Sequence, residues 1–155
     1  METFFNPLSV AIVGATEKPG SLPGIILKNL LSMGFKGKMY PVNPKYETVF
    51  GLNCFPSILD IPDEVALTVI AIPAPWVLDV LQQQAHKRIR HAIIISAGFR
   101  EKGAEGIEME ERIRRVAIEN DMRILAPNCL GVLDNYTNFT TSFLSWERVS
   151  IPKKG

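Results

Sequence analysis

Two residue types that build most active centres are scarce in this chain. Among its 155 residues there are two histidines, His86 and His91, and two cysteines, Cys54 and Cys129. The cysteine spacing fits neither a zinc nor a redox motif, so a reducing cytoplasm is the expected setting. Net charge is only +1, too little to steer the protein to nucleic acid or an acidic membrane surface. No apolar run reaches the ~18 residues of a membrane span; the longest, residues 66–75, is broken by Thr68, Pro73 and Pro75. No signal peptide is expected, and the sequence holds no internal repeat or low-complexity tract. Neither Gly-x-Gly-x-x-Gly nor a Gly-Lys-Ser/Thr triplet occurs.

What is present is alternation. Val10–Val13 is a continuous apolar run, as expected of a strand buried on both faces. Further strand patterns fall at Lys38–Val42, Ala66–Ile72, His91–Ser96 and Met122–Leu125, and Val49-Phe50-Gly51 reads as a short extra strand. Helical spacing marks Gly24–Met33, stopped by Gly34, and then Trp76–Lys87 and Ala104–Asn120. Pro56–Asp60 reads as one helical turn. Five strands separated by helices imply right-handed βαβ units and a doubly wound, Rossmann-like α/β fold with a parallel sheet. The expected strand order is 3-2-1-4-5. Residues 1–145 form the expected domain. From Asp134 the chain reads as an extended wrap-around segment, and 146–155 as an extension or linker toward a further domain.

In such a sheet the ligand lies beyond the carboxyl ends of the strands. There the sequence places Gly14, Thr16, Lys18, Gly20 and Ser21, then Asn43 and Lys45, then Pro73, then Ser96 and Ala97, then Pro127 and Asn128. Glycines and free N–H groups at a helix start suit phosphate, although a glycine-rich connector would carry the same residues. An acid after the second strand would suit the ribose of NAD. Lys45 stands there instead. A lysine suits an additional phosphate, the 3′-phosphate of coenzyme A or the 2′-phosphate of NADP, or it is simply solvated. His86 and His91 fit a helix end and a strand start better than a catalytic role. Cys129 reads as a small buried residue, and Trp76 as core or a partner contact.

Taken together, Ser9–Gly20, Tyr40–Lys45, Pro73-Ala74-Pro75, Ser96-Ala97-Gly98-Phe99 and Pro127-Asn128-Cys129-Leu130-Gly131 make the chain resemble a known family. It resembles the CoA-binding domain of the NDP-forming acyl-CoA synthetases, the ADP-forming acetyl-CoA synthetases more than the succinyl-CoA synthetase α subunits, over residues 5–145. The resemblance implies coenzyme A (or acyl-CoA) as cofactor. It implies that Thr16, Lys18, Gly20 and Ser21 hold CoA phosphates, that Lys45 contacts CoA, that Ile95, Ser96 and Ala97 line the pantetheine path, and that Pro73 lies near the adenosine. With Gly14 and Asn43 these complete the candidate set; no catalytic residue and no metal ligand is expected. The phosphohistidine domain and the ATP-grasp partner of such enzymes are expected outside these residues, so the chain alone should bind without catalysing. An NADP or nucleotide module and a regulatory CoA-sensing domain are the alternatives.

Overall fold

The computed structural model describes residues 1–125 and 127–144. Five parallel strands form the central sheet: β1 (Ser9–Val13), β2 (Lys38–Val42), β5 (Leu67–Ile70), β6 (His91–Ile94) and β7 (Arg123–Leu125). Between β2 and β5 lies a small antiparallel hairpin, β3 (Thr48–Val49) with β4 (Leu52–Asn53). The helices are α1 (Leu22–Met33), α2 (Val77–His86) and α3 (Ala104–Glu119). The doubly wound α/β class is as expected.

The strand order is not. The sheet runs β2-β1-β5-β6-β7, which is 2-1-3-4-5 in main strands rather than 3-2-1-4-5. The reason lies in β2. Val42 O accepts from Gly14 N–H, so Val42 faces β1, whereas Pro41 and Asn43 face outward, bonding Phe55 through Pro41 O and Asn43 N–H. Proline cannot donate, so a full strand laid against that side would lose a ladder bond. Proline therefore belongs on an edge, and β2 is one. Among the described residues its outer side carries a single bridge, Val42 to Phe55. Val49-Phe50-Gly51 is likewise not one strand: Phe50-Gly51 is the turn of the β3–β4 hairpin. Pro56–Asp60 narrows to a 3-10 turn at Ile58–Asp60, capped reciprocally by Ser57 and Asp60.

Alternate residues of the strands feed two cores. Ala11, Val13, Val42, Ile70, Ala92 and Ile94 pack with Val77, Val80 and Leu81 of α2 and Ile113 of α3. Val10, Ile12, Leu67, Val69 and Ile93 pack with Ile26, Leu27 and Leu30 of α1. Two-sided burial is why these strands read as continuous apolar runs. Gly34 closes α1 in the left-handed region (φ 70°), its N–H bonding Leu30 and Leu31 carbonyls.

The segment after β7 crosses α1, as a wrap-around segment should, but it does so as a hairpin of β8 (Leu133–Asp134) and β9 (Phe139–Thr140). Phe139 meets Phe35 with ring centroids 5.2 Å apart. Buried Asn29 of α1 donates from Nδ2 to Ser142 O (3.0 Å) and Leu144 O (2.8 Å). The expected extension at 146–155 lies outside the described residues. Among those described, no helix is long and apolar enough to cross a membrane.

Candidate cofactor site

The chain steps outward from β1 to β2, then returns to place β5 on the other side of β1. The crevice at that switch point lies beyond the carboxyl ends of β1 and β5. The strand order expected from sequence would have put it between the first and fourth strands. The observed order sets Gly14 against the loop leading to Pro73 instead. Gly14 has φ 93°, and a Cβ there would lie 2.7 Å from Ala71 O and 2.8 Å from Ile72 Cγ2. Only glycine satisfies both the left-handed backbone and the close approach.

The loop from Gly14 to Ser21 feeds α1. Its helix start has the unpaired backbone N–H groups common to all helix N-termini, with Pro23 within the first turn. Thr16 is buried; its Oγ1 donates to the Tyr46 hydroxyl (3.1 Å) and accepts from Lys18 N–H (3.2 Å). Ser21 is the N-cap, yet its Oγ makes no capping bond and is buried without a partner. Gly24 lets the first turn of α1 sit on this loop: a Cβ there would be 2.4 Å from Thr16 O and 2.5 Å from Ser21 Oγ. Lys18 and Gly20 are exposed.

Asn43 bridges two rim loops. Its Nδ2 donates to Ala15 O (2.9 Å), and its Oδ1 accepts from Lys45 N–H (3.0 Å). This fixes the backbone of Lys45 and leaves its ammonium exposed. Neither Lys18 nor Lys45 forms an ion pair among the described residues. Lys45 borders an open groove of about 520 Å³ that is also lined by Tyr46, Glu47, Asn53 and Pro56.

Across the crevice, Pro73 is exposed and starts a 3-10 turn, Ala74–Trp76, leading into α2. Ile95 is buried in the α1-side core and its N–H bonds Ile70 O (2.9 Å), so its side chain serves packing. Ser96 is buried as well: Ile72 N–H donates to its Oγ (3.2 Å), linking the ends of β5 and β6. Ala97 is exposed on the rim. Glu101 accepts from Gly98 N–H, and that bond holds its carboxyl below the usual range. It closes the turn after β6. Gly106 of α3 sits on the same turn; a Cβ there would be 1.8 Å from Phe99 O. Asn128 is exposed, has φ 59°, and donates its N–H to Ser96 O (2.9 Å).

The rim thus gathers sequence-selected residues from the loops after all five strands, but not in one role. Tyr46, Glu17, Gly24 and Gly106 belong to its construction and were missed by sequence. The two glycines were visible as glycines inside helical patterns, a signal of close approach; the two side chains act over 30 or more positions, with no local sign.

Other reactive groups lie elsewhere. His86 ends α2 and is exposed, and His91 opens β6 at the opposite end of the sheet. Burial, with the Met1 amino group and Arg123 nearby, lowers the His91 pKa. Both cysteines are free. Cys54 is buried, which raises its thiol pKa, and Cys129 is half-buried rather than buried. Trp76 is largely exposed, not core. Among the described residues no cluster of three or more His, Cys, Asp or Glu could hold a metal ion.

The family model described as "CoA binding domain" matches residues 8–135. The chain belongs to the CoA binding domain family. Among its relatives, ADP-forming acetate–CoA ligase II of Archaeoglobus fulgidus is 46% identical over 144 residues, covering 92% of this chain and 21% of that one. The α subunit of ADP-forming acetate–CoA ligase I of Pyrococcus furiosus is 40% identical over 147 residues, covering 92% and 32%. In structure, the CoA binding domain superimposes on the dinucleotide-forming acetyl-coenzyme A synthetase 1 of Ca. Korarchaeum cryptofilum, solved with phosphate and ADP. The TM-score is 0.87 at 40% identity, covering 92% of this chain and 30% of that one. The domain therefore spans about a fifth to a third of the length of these relatives.

Proposed function

We propose that this CoA binding domain serves an ADP-forming acyl-CoA synthetase, holding coenzyme A so that its thiol meets an acyl phosphate carried by another part of the enzyme. The parent reaction is acyl-CoA plus NDP plus phosphate giving acid, CoA and NTP, reversibly. The partners are the remaining synthetase domains or an ATP-grasp subunit, reached through the residues after 145. The setting is the cytoplasm, in keeping with two free thiols. The chain by itself binds and does not turn over.

The observation that carries this reading is the rim chemistry at the switch point. Gly14 lets the first loop close against the chain leading to Pro73, and two ammonium groups that form no ion pair among the described residues, Lys18 and Lys45, stand on the loops joined by Asn43's bridge. We assign the phosphates to the loop of Thr16, Lys18, Gly20 and Ser21, and the 3′-phosphate to Lys45. Pro73 borders the adenosine, and the backbone of Ile95 and Ser96 with Ala97 borders the pantetheine.

Calorimetry with CoA, dephospho-CoA and NADPH tests it. CoA binds, and removal of the 3′-phosphate weakens binding. Lys45→Ala costs about 1–2 kcal/mol against CoA, a charge-assisted contact discounted for its exposure, and nothing further against dephospho-CoA. Absence of CoA binding overturns the reading; NADPH binding in its place supports the nucleotide alternative. Equal affinity for CoA and dephospho-CoA overturns the Lys45 assignment alone.

A further inference from the structure

Two contacts join the first loop to the β3–β4 side of the molecule, and both join residues with no obvious reason to be where they are. Glu17 places a carboxylate in a loop proposed to bind anions, three residues before Gly20. Its Oε1 accepts from Phe50 N–H. Phe50 holds φ 49° and is followed by Gly51 at φ 75°, the left-handed pair of a two-residue hairpin turn where Asn or Asp is the ordinary first residue. A bulky side chain is strained there. Phe50 is nonetheless packed against the α1-side core, so the turn is anchored while its N–H is turned to Glu17. Alongside, Thr16 donates to the Tyr46 hydroxyl across 30 positions. One arrangement accounts for all four residues.

We propose that the β3–β4 hairpin and its lead-in are a clasp on the first loop, in which Glu17 and Tyr46 are positioning residues. They hold the backbone of residues 16–21 in the shape that receives CoA phosphates. The inference rests on the CoA reading for its consequence, though not for the clasp itself. Glu17 acts through the acceptor oxygen and not through its charge, which works against an anionic ligand.

The substitutions Glu17→Ala, Glu17→Gln and Tyr46→Phe separate these roles. Amide hydrogen exchange of residues 18–21 is measured without ligand, CoA affinity by calorimetry, and melting temperature alongside each. Glu17→Ala and Tyr46→Phe speed exchange in the loop and weaken CoA by about threefold to tenfold each, the size of one neutral or singly charged hydrogen bond. Glu17→Gln retains Oε1 and removes the charge, so it keeps wild-type exchange and binds CoA as tightly or more tightly. Unchanged loop exchange in both Glu17→Ala and Tyr46→Phe overturns the clasp. So does equal weakening in Glu17→Gln and Glu17→Ala, which would make the charge the active feature. A wild-type protein that fails to bind CoA overturns the cofactor reading instead, and the exchange data then stand on their own.

Discussion

Gly24→Ala sets two well-measured tendencies against each other. Alanine inside a helix ordinarily gains about 1 kcal/mol over glycine. Here the new Cβ would sit 2.4 Å from the Thr16 carbonyl oxygen and 2.5 Å from Ser21 Oγ, where ordinary contact begins near 3.4 Å. Ser21 Oγ can rotate, but the nearer obstacle, Thr16 O, is backbone and cannot. Either α1 retreats by about 1 Å or the 16–21 loop is pushed off its seat. Overpacking of this kind costs about 1–3 kcal/mol, and a rigid obstacle belongs at the upper end. Offsetting the propensity gain leaves a net loss of about 2 kcal/mol, a fall in Tm of roughly 4–8 °C for a chain of this size. The same shift moves the N–H groups facing the proposed phosphates; losing one charge-assisted bond costs about 1.5–3 kcal/mol, at least tenfold in CoA affinity. Thermal melts and calorimetry on the single variant read both effects. A Tm that stays level or rises, with CoA affinity unchanged, would refute the close-approach argument and with it the placement of α1 on the loop.

Two further outcomes follow from buried groups away from the crevice. Asn29→Ala leaves the carbonyls of Ser142 and Leu144 without their donor; it should cost about 1–3 kcal/mol, seen as a lower urea midpoint and faster amide exchange around residues 139–144. His91 has a folded pKa below its ordinary 6.5, so the unfolded chain takes up the proton first. Its contribution is complete above about 6.5, the unfolded value, and is lost as pH falls below that. Stability measured from pH 7.5 down to 5.5 should therefore decline, and His91→Phe should flatten that decline; an unaltered slope in the variant would assign it to other groups.

How much of this was legible beforehand depended on the range of each interaction. Strands and helices were visible because their signals are local: two-sided burial gives an unbroken apolar run at 10–13 and one interrupted only by Thr68 at 66–72, and Gly34 is a helix stop by its own conformation. Neighbours within a sheet leave weaker marks, because a buried strand reads the same wherever it sits. Pro41 was the mark that distinguished β2, since its missing N–H faces the outer side and bars a full strand there; weighed properly, it argues for 2-1-3-4-5. The rim residues were found because carboxyl ends of parallel strands are common ground for ligands. Their division into contacts and supports was not visible, since Thr16–Tyr46 and Glu17–Phe50 span 30 and 33 positions and depend on the hairpin that the sequence showed only as a short strand.

That division bears on how the site can work. The polar side chains on the rim with the best hydrogen-bonding capacity are already engaged within the protein: Thr16 with Tyr46 and Lys18, Asn43 with Ala15 and Lys45, Ser96 with Ile72. What faces solvent on the rim includes backbone, small residues such as Gly20 and Ala97, Pro73, Asn128 and the ammonium groups of Lys18 and Lys45. A long anion is suited to such a surface, because the proposed phosphates would meet N–H groups and cations there and not side-chain hydroxyls and amides. A rim whose Thr, Asn and Ser pointed freely outward would be better suited to reading a rigid polar ring. The engaged side chains therefore support the proposed coenzyme site from behind, and substituting them should disturb the loops before it removes any contact with the ligand.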